Sequence, residues 1–118
     1  MNYLMRNIGI FYNDLEWARK VFSDILHEIP QNAIVRYSNQ FLQISFTDGS
    51  RLTFVKPNNS ARGHKFSEVY IQDGISIDAY RERICFCINP MKKVTAYVIR
   101  NAEDIFYHYK TAKEYYLT

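Results

Sequence analysis

TDGSRLTFVKPNNSARGHKFSEVYIQDG, Thr47 to Gly74, is the stretch on which the fold turns. Asp48-Gly49 reads as a tight hairpin turn whose two central residues both take positive φ. Arg51 to Val55 then reads as a strand, with Leu52 and Phe54 alternating with the polar Arg51 and Thr53, so one face is buried. Pro57 to Lys65 is polar and holds Asn58, Asn59, Ser60 and Gly63, the composition of a loop. Glu68 to Gln72 (EVYIQ) is a second apolar strand, and Gly74 breaks it.

Working outward toward the amino terminus, Phe41 to Phe46 and Ala33 to Tyr37 read as two more short strands, joined by a turn at Ser38-Asn39-Gln40. Ahead of them Leu15, Ala18, Val21, Phe22, Ile25, Leu26 and Ile29 recur at helical spacing. Asn13 stands as the N-cap with Glu16 in the capping-box position, and Pro30 stops the helix. Leu4 to Phe11 reads as a buried strand. Toward the carboxyl terminus, Ile75 to Arg83 reads as a loop leading into a short helix. Ile84 to Ile88 is either a strand or a continuation of a helix from Asp78. Asn89-Pro90 is a turn, and Val94 to Ile99 is a β-branched, uncharged run of the kind found in central strands. Asn101 caps a last helix over Ala102 to Tyr116, with Ile105, Phe106, Tyr109, Ala112 and Tyr116 on one face. This alternation predicts an α/β fold: a three-layer sandwich with a mostly parallel sheet plus a β-hairpin, as a single domain over residues 1–118.

Composition bounds the function. The chain has 118 residues, 47% of them hydrophobic and 16% aromatic, which supports one packed core and argues against disorder. A net charge of +3, with basic residues spread along the chain, does not by itself call for nucleic acid. Cys85 and Cys87 sit two apart, too close for an ordinary structural disulfide in a strand, and have no nearby partners to complete a zinc site. Reduced thiols, no secretory h-region and no membrane-length apolar run point to a cytoplasmic, non-membrane protein without a metal.

Three stretches carry a family resemblance. GIFYNDLEWARKVFSDIL reads as a strand and an Ala-containing helix. FTDGSRLTFVKPNNSARGHKFSEVYIQDG reads as a hairpin, an Arg-Gly loop and a strand ending in an acid. MKKVTAYVIRNAEDIFYHYKTAKEYY reads as a strand, an Asn turn and a helix. In order and spacing the chain resembles the middle of the ATPase domain of tailed-phage, T4-like large terminases, the DNA-packaging motors. The resemblance implies a truncated P-loop NTPase (RecA-like) core in which Glu68 to Gln72 is the Walker B strand and Gln72-Asp73 stands where the motor has two acids.

That resemblance also implies lost chemistry. A P-loop requires glycines followed by Lys and a hydroxyl residue to cradle phosphates and magnesium, and none of Gly9, Gly49, Gly63 and Gly74 is followed by Lys. Gln72 is a neutral amide, a poor ligand for a hard cation, which leaves Asp73 as a vestigial acid. The strand that in the family ends in hydroxyl residues ends here in Val98-Ile99-Arg100-Asn101. The family's P-loop strand lies within the sheet, so its loss is expected to leave an unpaired edge or a gap, which the chain could close itself or fill by forming an oligomer. The first reading is thus a non-catalytic, terminase-like phage or prophage protein that binds a packaging component or host protein. The second is a subunit of a split large terminase, needing ATP and magnesium together with a P-loop from another chain. The third is a small nucleic-acid-binding α/β module. Candidate anion or nucleic-acid contacts are Lys56, Arg62, Gly63, His64 and Lys65, against the plainer reading of a solvated loop. Candidate partner contacts are Tyr107, Tyr115, Tyr116 and Trp17, the last being either an exposed anchor or a ring lying along the sheet.

Overall fold

The computed structural model describes residues 6–57, 66–76, 78, 84, 95–106 and 113–116, with residues 95 and 113–116 described by their backbone alone. In chain order the elements are β1 (Asn7–Phe11), α1 (Leu15–Glu28), a single 3-10 turn (Gln31–Ala33), β2 (Ile34–Ser38), β3 (Gln43–Phe46), β4 (Arg51–Val55), β5 (Glu68–Gln72), β6 (Thr95–Ile99), α2 (Ala102–Phe106) and β7 (Lys113–Tyr116). The strands form one sheet in the order β2-β3-β4-β1-β5-β6-β7.

The sheet is mixed, which corrects the expectation of a mostly parallel one. Parallel pairing is confined to its middle, where β1 lies between β4 and β5, and β5 pairs β6. Both flanks are antiparallel: β2 with β3 and β3 with β4 on one side, β6 with β7 on the other. No gap interrupts the parallel strands. The far edge of β6 is taken by β7, so β2 and β7 are the outer strands. The last helix is described over Ala102–Phe106, and Lys113–Tyr116, expected to be its end, form a strand instead. A strand edge presents a row of unpaired N–H and C=O groups, and pairing Lys113–Tyr116 to it overrides the helical spacing of the last aromatic residues.

Alternation along the strands divides the core into two. Ile8, Ile10, Leu52, Phe54, Tyr70 and Ile99 face the helices and pack with Ala18, Val21, Phe22 and Ile25 of α1 and Ala102 of α2. On the opposite face Phe11, Val69, Ile71 and Ala96 pack with Phe66 and Ile84. The chain over residues 77–94, where the third layer is expected, lies outside the described residues apart from Asp78 and Ile84. Each fully buried Phe or Ile in these clusters contributes about 1.5–3 kcal/mol relative to an exposed one.

Gly9 carries one packing requirement. The ring of Phe66 lies directly over it, and a Cβ there would come within 2.5 Å of Phe66 Cδ2.

Two local devices differ from expectation. The N-cap of α1 is Asp14, not Asn13. Asp14 has extended φ/ψ, and its Oδ1 accepts from the Glu16 N–H at 3.0 Å. The Asp48-Gly49 hairpin has positive φ only at Gly49. Phe46 O accepts from Gly49 N–H and Phe46 N–H donates to Ser50 O, so Thr47-Asp48 form the centre of a turn completed by a Gly bulge.

Candidate functional site

The parallel strands end together on one edge of the sheet, the place where open α/β sheets hold their ligands. Tyr12, Asn13 and Asp14 follow β1 there; Lys56 follows β4, Gln72 and Asp73 end β5, and Arg100 and Asn101 follow β6. The structure therefore places Gln72 and Asp73 at this carboxyl edge.

What Gln72 does there is specific. Its Oε1 accepts from the backbone N–H of Asn13 at 2.8 Å and of Asp14 at 3.2 Å. One amide oxygen thus satisfies two main-chain donors where β1 turns into α1, and that explains the shift of the cap by one residue. Asp73 lies in the turn after β5. Its N–H donates to Ile99 O, Ile75 N–H donates to Gln72 O, and Gly74 supplies φ of 101°. The Asp73 side chain is exposed and makes no hydrogen bond or ion pair among the described residues. At the end of β6, Ile99 is fully buried and Val98 half-buried.

Trp17 is the second brace on this edge. Its ring is half-buried against the helix-side core, and its Nε1 donates to Arg100 O at 2.8 Å. Arg100 N–H in turn donates to the buried Asp104 at 2.8 Å, and Asn101 Oδ1 accepts from Asp104 N–H at 3.1 Å, capping α2 as expected. Trp17 therefore ties α1 to the β6–α2 turn.

The other candidates divide by position. Lys56 is exposed just beyond β4. Arg62, Gly63, His64 and Lys65 lie outside the described residues, as does Tyr107. The backbones of Tyr115 and Tyr116 pair with Ala96 and Thr95 in β7, and their side chains are outside the described set. Among the described residues no three His, Cys, Asp or Glu side chains group as a metal site, and no helix is long and apolar enough to cross a membrane.

The opposite, amino-terminal edge holds a polar cluster the sequence did not disclose. Arg6 grips Glu68 with two hydrogen bonds, Nε to Oε1 at 3.1 Å and Nη2 to Oε2 at 2.7 Å, and Tyr70 Oη donates to Glu68 Oε2 at 2.6 Å. The hydrogen bond from Arg6 to Glu68 raises the guanidinium's already high pKa. Burial, reinforced by the Glu68 carboxylate, pushes the Tyr70 phenol far above its usual range. Nearby, the Ser50 N–H bond to Asp48 holds that carboxyl below the usual carboxylate range. A cavity of about 450 Å³ opens beside this cluster, walled by Ile8, Ile25, Leu52 and Tyr70 with Arg6 and Asp48 among its polar lining. The i, i+2 spacing of Glu68 and Tyr70 puts both on one face and was legible. Arg6, 62 residues away from Glu68, carried no local signal.

Comparison with known proteins finds no family model, curated protein or solved structure that matches the chain.

Proposed function

We propose that the chain is a non-catalytic, terminase-like protein of a phage or prophage that acts by binding a component of the packaging machinery or a host protein. The observation that carries this reading is the use of Gln72. The residue standing where a motor would hold magnesium is an amide whose oxygen is committed to two backbone N–H groups. An amide oxygen is a weak ligand for a hard cation, and this one already holds the β1–α1 turn. The aliphatic end of β6 adds to the reading, since Val98 and the buried Ile99 have no group to donate to a phosphate. The resemblance itself is supported by the parallel run β1-β5-β6 adjoining an antiparallel hairpin. Affinity capture with the tagged full chain from infected cells tests the proposal. Reproducible recovery of a packaging component or host protein is expected, and recovery of neither would contradict it.

Asp73 favours a second reading. An exposed carboxylate at the carboxyl edge is free to join a magnesium site whose P-loop comes from another chain, the split-terminase arrangement. ATP turnover on mixing with a P-loop-bearing chain, abolished by Asp73→Asn, would support it, and no turnover on mixing would remove it.

A further inference from the structure

β2 is the outer strand of the sheet, and its exposed apolar side chains are unusual for an edge. Val35 is 62% exposed, Tyr37 55%, and Phe41, just past the strand, 63%. Edge strands are ordinarily blunted by charge, by brevity or by bulges, because their unpaired main-chain groups recruit other strands. β2 has a bulge, but only between Ile34 and Arg36. Beyond it Tyr37 pairs Ile44 and Ser38 pairs Gln43 in regular register, so the outer side of Arg36 to Ser38 is a straight pairing edge.

The end of that edge is held in place. Phe41 N–H donates to Ser38 Oγ at 3.1 Å, and Leu42, buried in the core, has φ of 52°. Left-handed backbone in a leucine costs on the order of 1 kcal/mol or more and persists where its surroundings demand it. Its consequence here is that Leu42 packs inward while Phe41 points to solvent. On the helix side an open groove of about 780 Å³ runs between β2 and the end of α1, with Leu26, Ile29, Ile34 and Tyr37 in its lining. Its described lining carries Arg36 and His27 and no acid.

From this geometry we infer that the β2 edge takes up an extended segment of a partner protein as an added strand, with an acidic residue beside Arg36 and apolar residues on alternate positions entering the groove. This rests on the reading of the chain as a binding domain and names the class of partner. Charge complementarity selects the acid. Area selects an extended segment over a folded surface: three side chains along a short strand fall well below the ~800 Å² that each partner gives to a standard interface, whereas an added strand gains main-chain hydrogen bonds and needs only a few side-chain pockets. A second copy pairing antiparallel about the middle of β2 would set two Arg36 side chains opposite each other, which is unfavourable.

Panning a random-peptide display library against the intact protein, then measuring selected peptides by fluorescence anisotropy, tests this. Enriched peptides should alternate apolar residues around an Asp or Glu. Tyr37→Lys and Arg36→Glu should each weaken them by about tenfold or more, while Arg19→Glu, on the exposed side of α1, leaves them unchanged. Panning against Arg36→Glu should select Lys or Arg in place of the acid. All three residues are exposed, so wild-type melting by circular dichroism is expected throughout. Peptides indifferent to the β2 substitutions would overturn the β2 site and leave the binding-domain reading standing. Self-association in sedimentation velocity that Tyr37→Lys abolishes would overturn the peptide as occupant in favour of a second copy. Failure to enrich any peptide would overturn the β2 inference, and recovery of no partner from infected cells would overturn the broader reading on its own.

Discussion

The two ends of the parallel strands use their polar residues in opposite ways. At the carboxyl edge Gln72 and Trp17 turn their polar atoms onto main-chain groups, holding the β1–α1 and β6–α2 turns, while Asp73 and Lys56 face solvent. At the amino edge the charges are paired to one another, Arg6 on Glu68 with Tyr70 beneath, next to a cavity of about 450 Å³. The edge on which an α/β sheet ordinarily does chemistry is here braced, and the edge that is ordinarily structural carries the ionic cluster.

The largest effect is expected at the amino edge. Tyr70 is buried, stacks on Tyr97 at 5.7 Å between ring centres and donates to Glu68. Tyr70→Ala removes all three contributions and should cost about 3–5 kcal/mol in urea unfolding. A loss under 1 kcal/mol would mean the cluster is ornamental to stability. Midway between the edges, Gly9→Ala pushes a methyl into the buried Phe66 ring and should cost about 1–3 kcal/mol. Combining it with Phe66→Leu should recover part of that loss, since the two changes share a contact.

At the carboxyl edge the comparison sharpens into a pair of variants. Gln72→Leu leaves the N–H groups of Asn13 and Asp14 without their acceptor and should cost about 1–2 kcal/mol. Gln72→Glu keeps an acceptor oxygen and should stay within about 0.5 kcal/mol of the parent. Faster amide exchange at Asn13 and Asp14 in the leucine variant alone would tie the effect to those bonds. The smallest effect concerns Asp48. Its folded pKa lies below its unfolded value, so the stability it contributes is present above the unfolded pKa and is lost as pH falls through the folded one. Asp48→Asn should therefore show a shallower decline of Tm on acidification than the parent, with little change at neutral pH.

Legibility followed the range of the interactions involved. The bounds of β4 and β5 are readable because turn signals are local, although Thr53 is buried beside Leu52 and Phe54, against the expectation of one buried face, since β4 is covered on both sides; α1 is readable from its apolar stripe. The N-cap was missed by one position because Asn13 and Asp14 are both good caps, and the choice is made by Gln72, more than fifty residues away in sequence. The run from Lys113 has aromatic spacing that fits a helix; its pairing as a strand is set by the open edge of β6. Gln72 as the last residue of β5 is legible in the pattern, but its use as a brace depends on where β1 ends, which pattern alone does not supply. The Arg6–Glu68 pair was invisible for the same reason.

Calorimetric titration of ATP with magnesium into the purified chain tests the central claim most directly. No saturable heat and no magnesium dependence are expected, with or without Gln72→Glu. Tight, magnesium-dependent binding that Asp73→Ala removes would contradict it.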